Sequence, residues 1–224
     1  MKKFMILAAV AMLVGRASAA VRDTISLNAG WQFHLGELSG IEAVKNAKSE
    51  RVNLPHDFLI GQPWVEPDAS ERPDNSDAGS NVRSRLSPRG FKEMNVGWYR
   101  YVLTPKAEWK GRRVVLDFQG IMLVGDVWLN GKHIGKTDYG YLGFDTDISS
   151  ILKYDGDNEI IVKANTQQPN NSRWYTGGGL YRDVNIIVTD KKLYFPRHPL
   201  FIRTENNKKV KIQAEIACFN KVDN

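Results

Sequence analysis

The chain has 224 residues and a net charge of +6, and its 31 basic and 25 acidic residues are scattered without a Lys/Arg block. A pI of about 9.3 therefore does not argue for nucleic-acid binding, which needs a clustered basic face. Cys218 is the only cysteine, which excludes an intrachain disulfide.

The first residues have their own logic. Met1-Lys2-Lys3 precedes an apolar run from Phe4 to Val14 and the small residues Ala17-Ser18-Ala19-Ala20. A basic start, a short apolar stretch and an Ala-x-Ala ending predict a secretory signal peptide over 1–20, cut after Ala19 or Ala20. An uncleaved anchor fits less well, because the run falls short of the ~20 apolar residues that span a bilayer. Without a cysteine at the cut no lipid anchor is expected, so the predicted location is periplasmic or secreted. Losing Lys2, Lys3 and Arg16 takes the net charge from +6 to +3.

Ile25 to Phe33 reads as a first strand broken at Gly30, and Ile41–Ser49 as a modest helix. Val52 to Phe58 reads as extended, because Pro55 pushes Leu54 out of the helical region. Between Leu59 and Val96, four prolines and mixed charges leave no apolar period. Loops of that length are usually functional or disordered, and Trp64 and Phe91 are the residues able to pin this one. Strand patterning returns at Gly97–Thr104 and Arg112–Ile121. Asn130-Gly131 between Asp126–Leu129 and Lys132–Gly135 predicts a tight hairpin, since both turn residues need positive φ. Asp147 is placed to cap a turn over Ile148–Leu152, and Glu159–Asn165 is a further strand.

Trp174-Tyr175-Thr176-Gly177-Gly178-Gly179 then runs into Leu180–Val188, whose alternation and β-branched residues predict a strand. The glycines thus end a loop and do not open a phosphate-cradling helix. They let the backbone pass close to another surface, with aromatics before the turn and Arg182 and Asp183 after it. Asp190-Lys191-Lys192 reads as a linker, followed by strands at Leu200–Thr204 and Val210–Ala217. Many short strands with turn signals and little helix predict an all-β antiparallel sandwich. The two last strands are too few for a stable domain, so a second sandwich is expected to be truncated.

The tri-glycine run, with Gly97-Trp98-Tyr99-Arg100 and Val127-Trp128-Leu129-Asn130-Gly131, resembles the N-terminal sugar-binding domain of family 2 glycoside hydrolases, over roughly Leu27 to Val188. Members with such motifs are most often β-galactosidases. The resemblance implies a galactose-binding-domain-like jelly roll over 21–190, then the start of an immunoglobulin-like β-sandwich over 191–224. It also implies a retaining enzyme whose two catalytic glutamates, about 5–5.5 Å apart, lie in a downstream barrel outside this chain. No catalytic residue is therefore expected here.

By the same resemblance Asp183 reaches the terminal sugar, bonding a hydroxyl or helping to hold a sodium ion. A carboxylate suits this, because it accepts charge-assisted bonds from hydroxyls. The competing reading pairs Asp183 with Arg182 or Arg173. Trp174, Arg173 and Asn171 are further substrate-binding candidates, Trp174 through an apolar ring face. Trp31, Trp98 and Trp128 fall in strand patterns and are expected in the core. His56 and Asp57 offer a polar pair at the domain edge, but a lone histidine before a strand end is more often a satisfied structural residue, which is the expectation for His56. Asp155-x-Asp157-x-Glu159 lacks the rest of a calcium loop, and no histidines stand at metal spacing. No Gly-x-Ser-x-Gly elbow marks a hydrolase triad. No cofactor or metal is expected in this chain, and sodium or magnesium would belong to the full-length enzyme.

The expected partners are a β-galactoside or related oligosaccharide and the barrel domain of the same chain, in an oligomer or alone, without nucleic acid and without a membrane after signal cleavage. The expected activity is hydrolysis of terminal β-galactosides. β-Glucuronidase and β-mannosidase are the alternatives within the family, and a non-catalytic carbohydrate-binding module or an adhesion module outside it.

Overall fold

The computed structural model describes residues 22–65, 92–167, 175–205 and 209–218. The predicted signal peptide, Phe91 and the candidates Asn171, Arg173 and Trp174 lie outside them.

The strands run in chain order β1 (Asp23–Ser26), β2 (Trp31–Leu35), β3 (Glu50–Val52), β4 (Val96–Leu103), β5 (Arg113–Phe118), β6 (Val124–Leu129), β7 (Lys132–Thr137), β8 (Phe144–Asp147), β9 (Asn158–Asn165) and β10 (Val184–Thr189). They form a four-stranded sheet, β1-β10-β5-β8, and a six-stranded sheet, β3-β2-β4-β9-β6-β7, antiparallel throughout. The expected all-β sandwich is thus present. Alternation aims Val114, Leu116 and Phe118 of β5 and Val184, Ile186 and Val188 of β10 at Trp31, Phe33, Tyr99, Val127 and Ile160, all buried in one core. Trp98 faces the other way, into a second cluster beneath the one-turn helix α1 (Ile41–Val44), stacked 6.0 Å from Trp128.

Several expected boundaries shift, each for a local reason. The first predicted strand is two strands in different sheets, because Gly30 takes φ 85° and turns the chain between them. The helix expected over Ile41–Ser49 stops at Val44, and the extended stretch after Val52 ends in a 3-10 turn, Phe58–Gly61, capped by the Asp57 side chain. The strand expected from Leu180 starts only at Val184. Leu180 and Gly178 give their carbonyls to the amides of His56 (2.8 Å) and Phe58 (3.1 Å), so that backbone pairs with a loop instead of a strand. Asn130 (φ 52°) and Gly131 (φ 81°) form the predicted hairpin turn, and Asp147 accepts from the Ser149 amide at 3.0 Å as expected of a cap.

β10 is buried along its whole length, on both faces. After it, Asp190 accepts from the amides of Lys192 and Leu193, turning the chain back over the four-stranded sheet. There the Arg113 guanidinium lies 4.0 Å from the centre of the Tyr194 ring, and Arg197 pairs with Asp117. Beyond lie β11 (Leu193–Tyr194) with β14 (Ala217–Cys218), and the hairpin of β12 (Leu200–Glu205) and β13 (Lys209–Ala214). The strand predicted over Val210–Ala217 is therefore broken after Ala214, its end pairing elsewhere. Phe201, Ile202, Val210 and Ile212 of the hairpin are all exposed.

Candidate functional site

The tri-glycine corner is a junction, not a free loop. Gly177 and Gly179 have φ of 77° and 106°, a region that L side chains rarely adopt. A Cβ on Gly177 would stand 2.8 Å from Asp57 Oδ2, one on Gly178 would stand 2.7 Å from Leu59 Cγ, and one on Gly179 would strike the Tyr99 hydroxyl. Three glycines are therefore a steric requirement of a backbone laid against the segment 56–59.

Asp57 is the anchor of that contact. Its Oδ1 accepts from the amides of Gly178 (2.8 Å) and Leu59 (3.1 Å), and its Oδ2 accepts from the Tyr175 hydroxyl (2.7 Å). Burial, then the bond to Asp57, pushes the Tyr175 phenol up, so Tyr175 stays a donor. Beneath the corner the buried Tyr99 hydroxyl accepts from the Leu180 amide (3.4 Å) and lies 2.9 Å from His56 Nδ1. Burial lowers the His56 pKa and raises that of Tyr99. His56 Nδ1 and the Tyr99 hydroxyl thus share one hydrogen bond beneath the corner, its direction set by the tautomer of the ring. Gly179 exchanges two backbone bonds with Met122, tying the corner to the loop before β6.

Past the corner, the half-exposed Asp183 sits just before β10. Its Oδ1 accepts from Asn28 Nδ2 at 2.8 Å and its carbonyl accepts from the Gln119 amide at 3.0 Å. Among the described residues no hydrogen bond reaches Oδ2. Arg182 turns the other way and donates to the carbonyls of Tyr141 (3.2 Å) and Gln119 (3.4 Å), so the Arg182–Asp183 pair weighed from the sequence does not form. The Tyr181 hydroxyl donates to the Gly140 carbonyl at 2.9 Å. Residues 181–183 thus brace the exposed loop of Tyr139 and Tyr141 while presenting one carboxylate oxygen.

The other candidates take structural places. Trp31 and Trp98 are buried and Trp128 is half-buried. Asp157 accepts from the Thr104 hydroxyl (2.7 Å), and Glu159 pairs with Arg100 (2.5 Å) and Lys45 (3.3 Å). Among the described residues no three His, Cys, Asp or Glu side chains group as a metal site. Asn28 and the anchoring role of Asp57 escaped the sequence reading. Asn28 lies 155 positions from its partner, and no local pattern marks such a pair.

The two-sheet antiparallel sandwich is of the galactose-binding-like class, and residues 90–188 match the model of the glycosyl hydrolase 2 galactose-binding domain-like family. Through that domain the chain belongs to the family 2 glycoside hydrolases. It is 31 % identical over 172 residues to a β-galactosidase of Bacteroides ovatus, covering 75 % of this chain and 18 % of that protein. It is 29 % identical to a β-glucuronidase of Bacteroides fragilis, over 79 % of this chain and 22 % of that one. The crystal structure of a β-glycosidase from Bacteroides vulgatus superposes with a TM-score of 0.70 at 29 % identity, over 89 % of this chain and 25 % of that one. The chain spans about a fifth of the length of the curated relatives it matches.

Proposed function

We propose that this chain is the N-terminal portion of an exported, retaining glycoside hydrolase acting on terminal β-galactosides, and that it supplies a scaffold and one edge of the substrate pocket. The observation that carries this is Asp183: a half-exposed carboxylate at a rigid corner, one oxygen held by Asn28 and the other without a protein partner among the described residues. Such an oxygen accepts a charge-assisted bond from a sugar hydroxyl. If that bond tightens as the ring distorts toward the oxocarbenium-like transition state, it lowers the barrier and not merely the dissociation constant. The paired carboxyl groups that cleave the bond would stand in a barrel C-terminal to this chain. The exposed apolar hairpin β12–β13 supports a second, immunoglobulin-like sandwich between the two.

A neutral hexose suits this edge better than a uronate, whose own carboxylate would add a second negative charge. The β-galactosidase of Bacteroides ovatus supports the same choice, and the β-glucuronidase of Bacteroides fragilis supports the alternative. A sodium or magnesium ion at the pocket would need several oxygen ligands. Asp183 Oδ2 would serve as one of them, and an ion bound there would neutralise charge beside the sugar. The test is hydrolysis of nitrophenyl β-galactoside, β-glucuronide and β-mannoside by the full-length enzyme and its Asp183→Ala variant. Galactoside turnover that falls in the variant at unchanged melting temperature supports the reading. Unchanged kinetics, or preference for the glucuronide, overturns it.

A further inference from the structure

We infer that Asn28 is a positioning residue for the substrate-binding carboxylate, an inference that rests on the role proposed above for Asp183. Asn28 lies between β1 and β2, in the segment that crosses from one sheet to the other, and it is half-buried. Its backbone is held from two directions: its carbonyl accepts from the Leu54 amide at 2.7 Å, and the adjacent Leu27 amide donates to the Val184 carbonyl at 2.8 Å. The side chain then bridges two consecutive residues of the distant segment. Nδ2 donates to Asp183 Oδ1 at 2.8 Å, and Oδ1 accepts from the Val184 amide at 3.1 Å.

The chemistry of the partners fixes the amide orientation. An amide nitrogen of the backbone can only donate and an ionised carboxylate can only accept, so the oxygen of Asn28 must face Val184 and its nitrogen must face Asp183. No other uncharged side chain of this length supplies an acceptor and a donor in that fork. The consequence for Asp183 is a choice between its two oxygens: Oδ1 is committed to the clamp, which sets the plane of the carboxylate, and Oδ2, which no hydrogen bond from the described residues reaches, is left for a ligand. With its backbone carbonyl also bonded to Gln119, Asp183 has little freedom to leave that pose. Catalysis gains from such fixed geometry because a misplacement of about 1 Å can cost about 100-fold in rate.

Two substitutions separate positioning from simple structural support, in the full-length enzyme. Asn28→Asp keeps an acceptor for the Val184 amide and replaces the donor to Asp183 by a second carboxylate. Asn28→Ala removes both bonds. If Asn28 positions Asp183, Asn28→Asp lowers kcat/KM by about 10- to 100-fold with most of the loss in kcat, and the loss vanishes when the substitution is made in an Asp183→Ala background. If Asn28 serves only the Val184 amide, Asn28→Asp is close to wild type while Asn28→Ala lowers the melting temperature, and the inference is overturned. A loss from Asn28→Asp that persists in the Asp183→Ala background also overturns it, since Asn28 would then act elsewhere. Should Asp183→Ala itself leave kinetics unchanged, the pocket role falls and this inference with it, whereas a normal effect of Asp183→Ala beside a silent Asn28→Asp removes this inference alone.

Discussion

The tri-glycine corner and the β12–β13 hairpin are both short stretches, yet they are held in opposite ways. At the corner, the amides of Gly178, Gly179 and Leu180 have partners contributed by Asp57, Met122 and Tyr99, all far away in sequence, and residues 176–180 are buried. In the hairpin the bonds are those of β12 and β13 with each other, and large apolar side chains stand in solvent. Polar groups taken out of water must be paired in one exact place, whereas an exposed apolar strand is held only by its neighbour. The corner is therefore a geometric device, and the hairpin an exposed apolar ribbon.

Gly179→Ala offers the hardest challenge to that contrast. The new Cβ at φ 106° would strike the Tyr99 hydroxyl and stand 2.9 Å from the His56 carbonyl. Left-handed strain and overpacking together predict a loss of about 3–5 kcal/mol in chemical denaturation. A loss below about 1 kcal/mol would mean that the corner is loosely held.

Asp57→Ala follows, because it strips acceptors from two amides and from Tyr175 at once; we expect about 2–4 kcal/mol. Tyr175→Phe removes one of those three bonds at a 39 % exposed side chain, for about 1 kcal/mol. The ranking of these two by urea midpoint tests whether Asp57 or the tyrosine leads.

The corner should also sense pH through His56. Burial lowers its folded-state pKa, so the unfolded chain binds the proton more readily. The stability contributed by neutral His56 is complete above the ordinary histidine range and is lost as pH falls through about 6.5 and below. His56→Gln should flatten that part of the stability profile, and an unchanged slope would show that other groups set it.

The smallest effect belongs to the hairpin. Ile212 is 64 % exposed, so Ile212→Lys should change the melting free energy of this chain by no more than about 0.5 kcal/mol. The same substitution in the full-length enzyme should be costly if a second sandwich covers that face, and equal effects in both would sink that expectation.

Much was legible before any coordinates. Alternation in β5, β9 and β10, the Asn130-Gly131 turn and the glycine run are local signals, because strand period and positive φ are properties of neighbouring residues. The sequence by itself determined that these strands form a sandwich, that a glycine corner precedes β10 and that Asp183 follows it. Only the tertiary structure decided that Leu180–Asp183 leaves the strand, that Arg182 turns away from Asp183, and that Asn28 and Asp57 clamp either side of the corner. Those outcomes depend on which distant loops the two sheets bring together, and a hydrogen bond spanning 155 positions leaves no periodic trace in the chain that makes it.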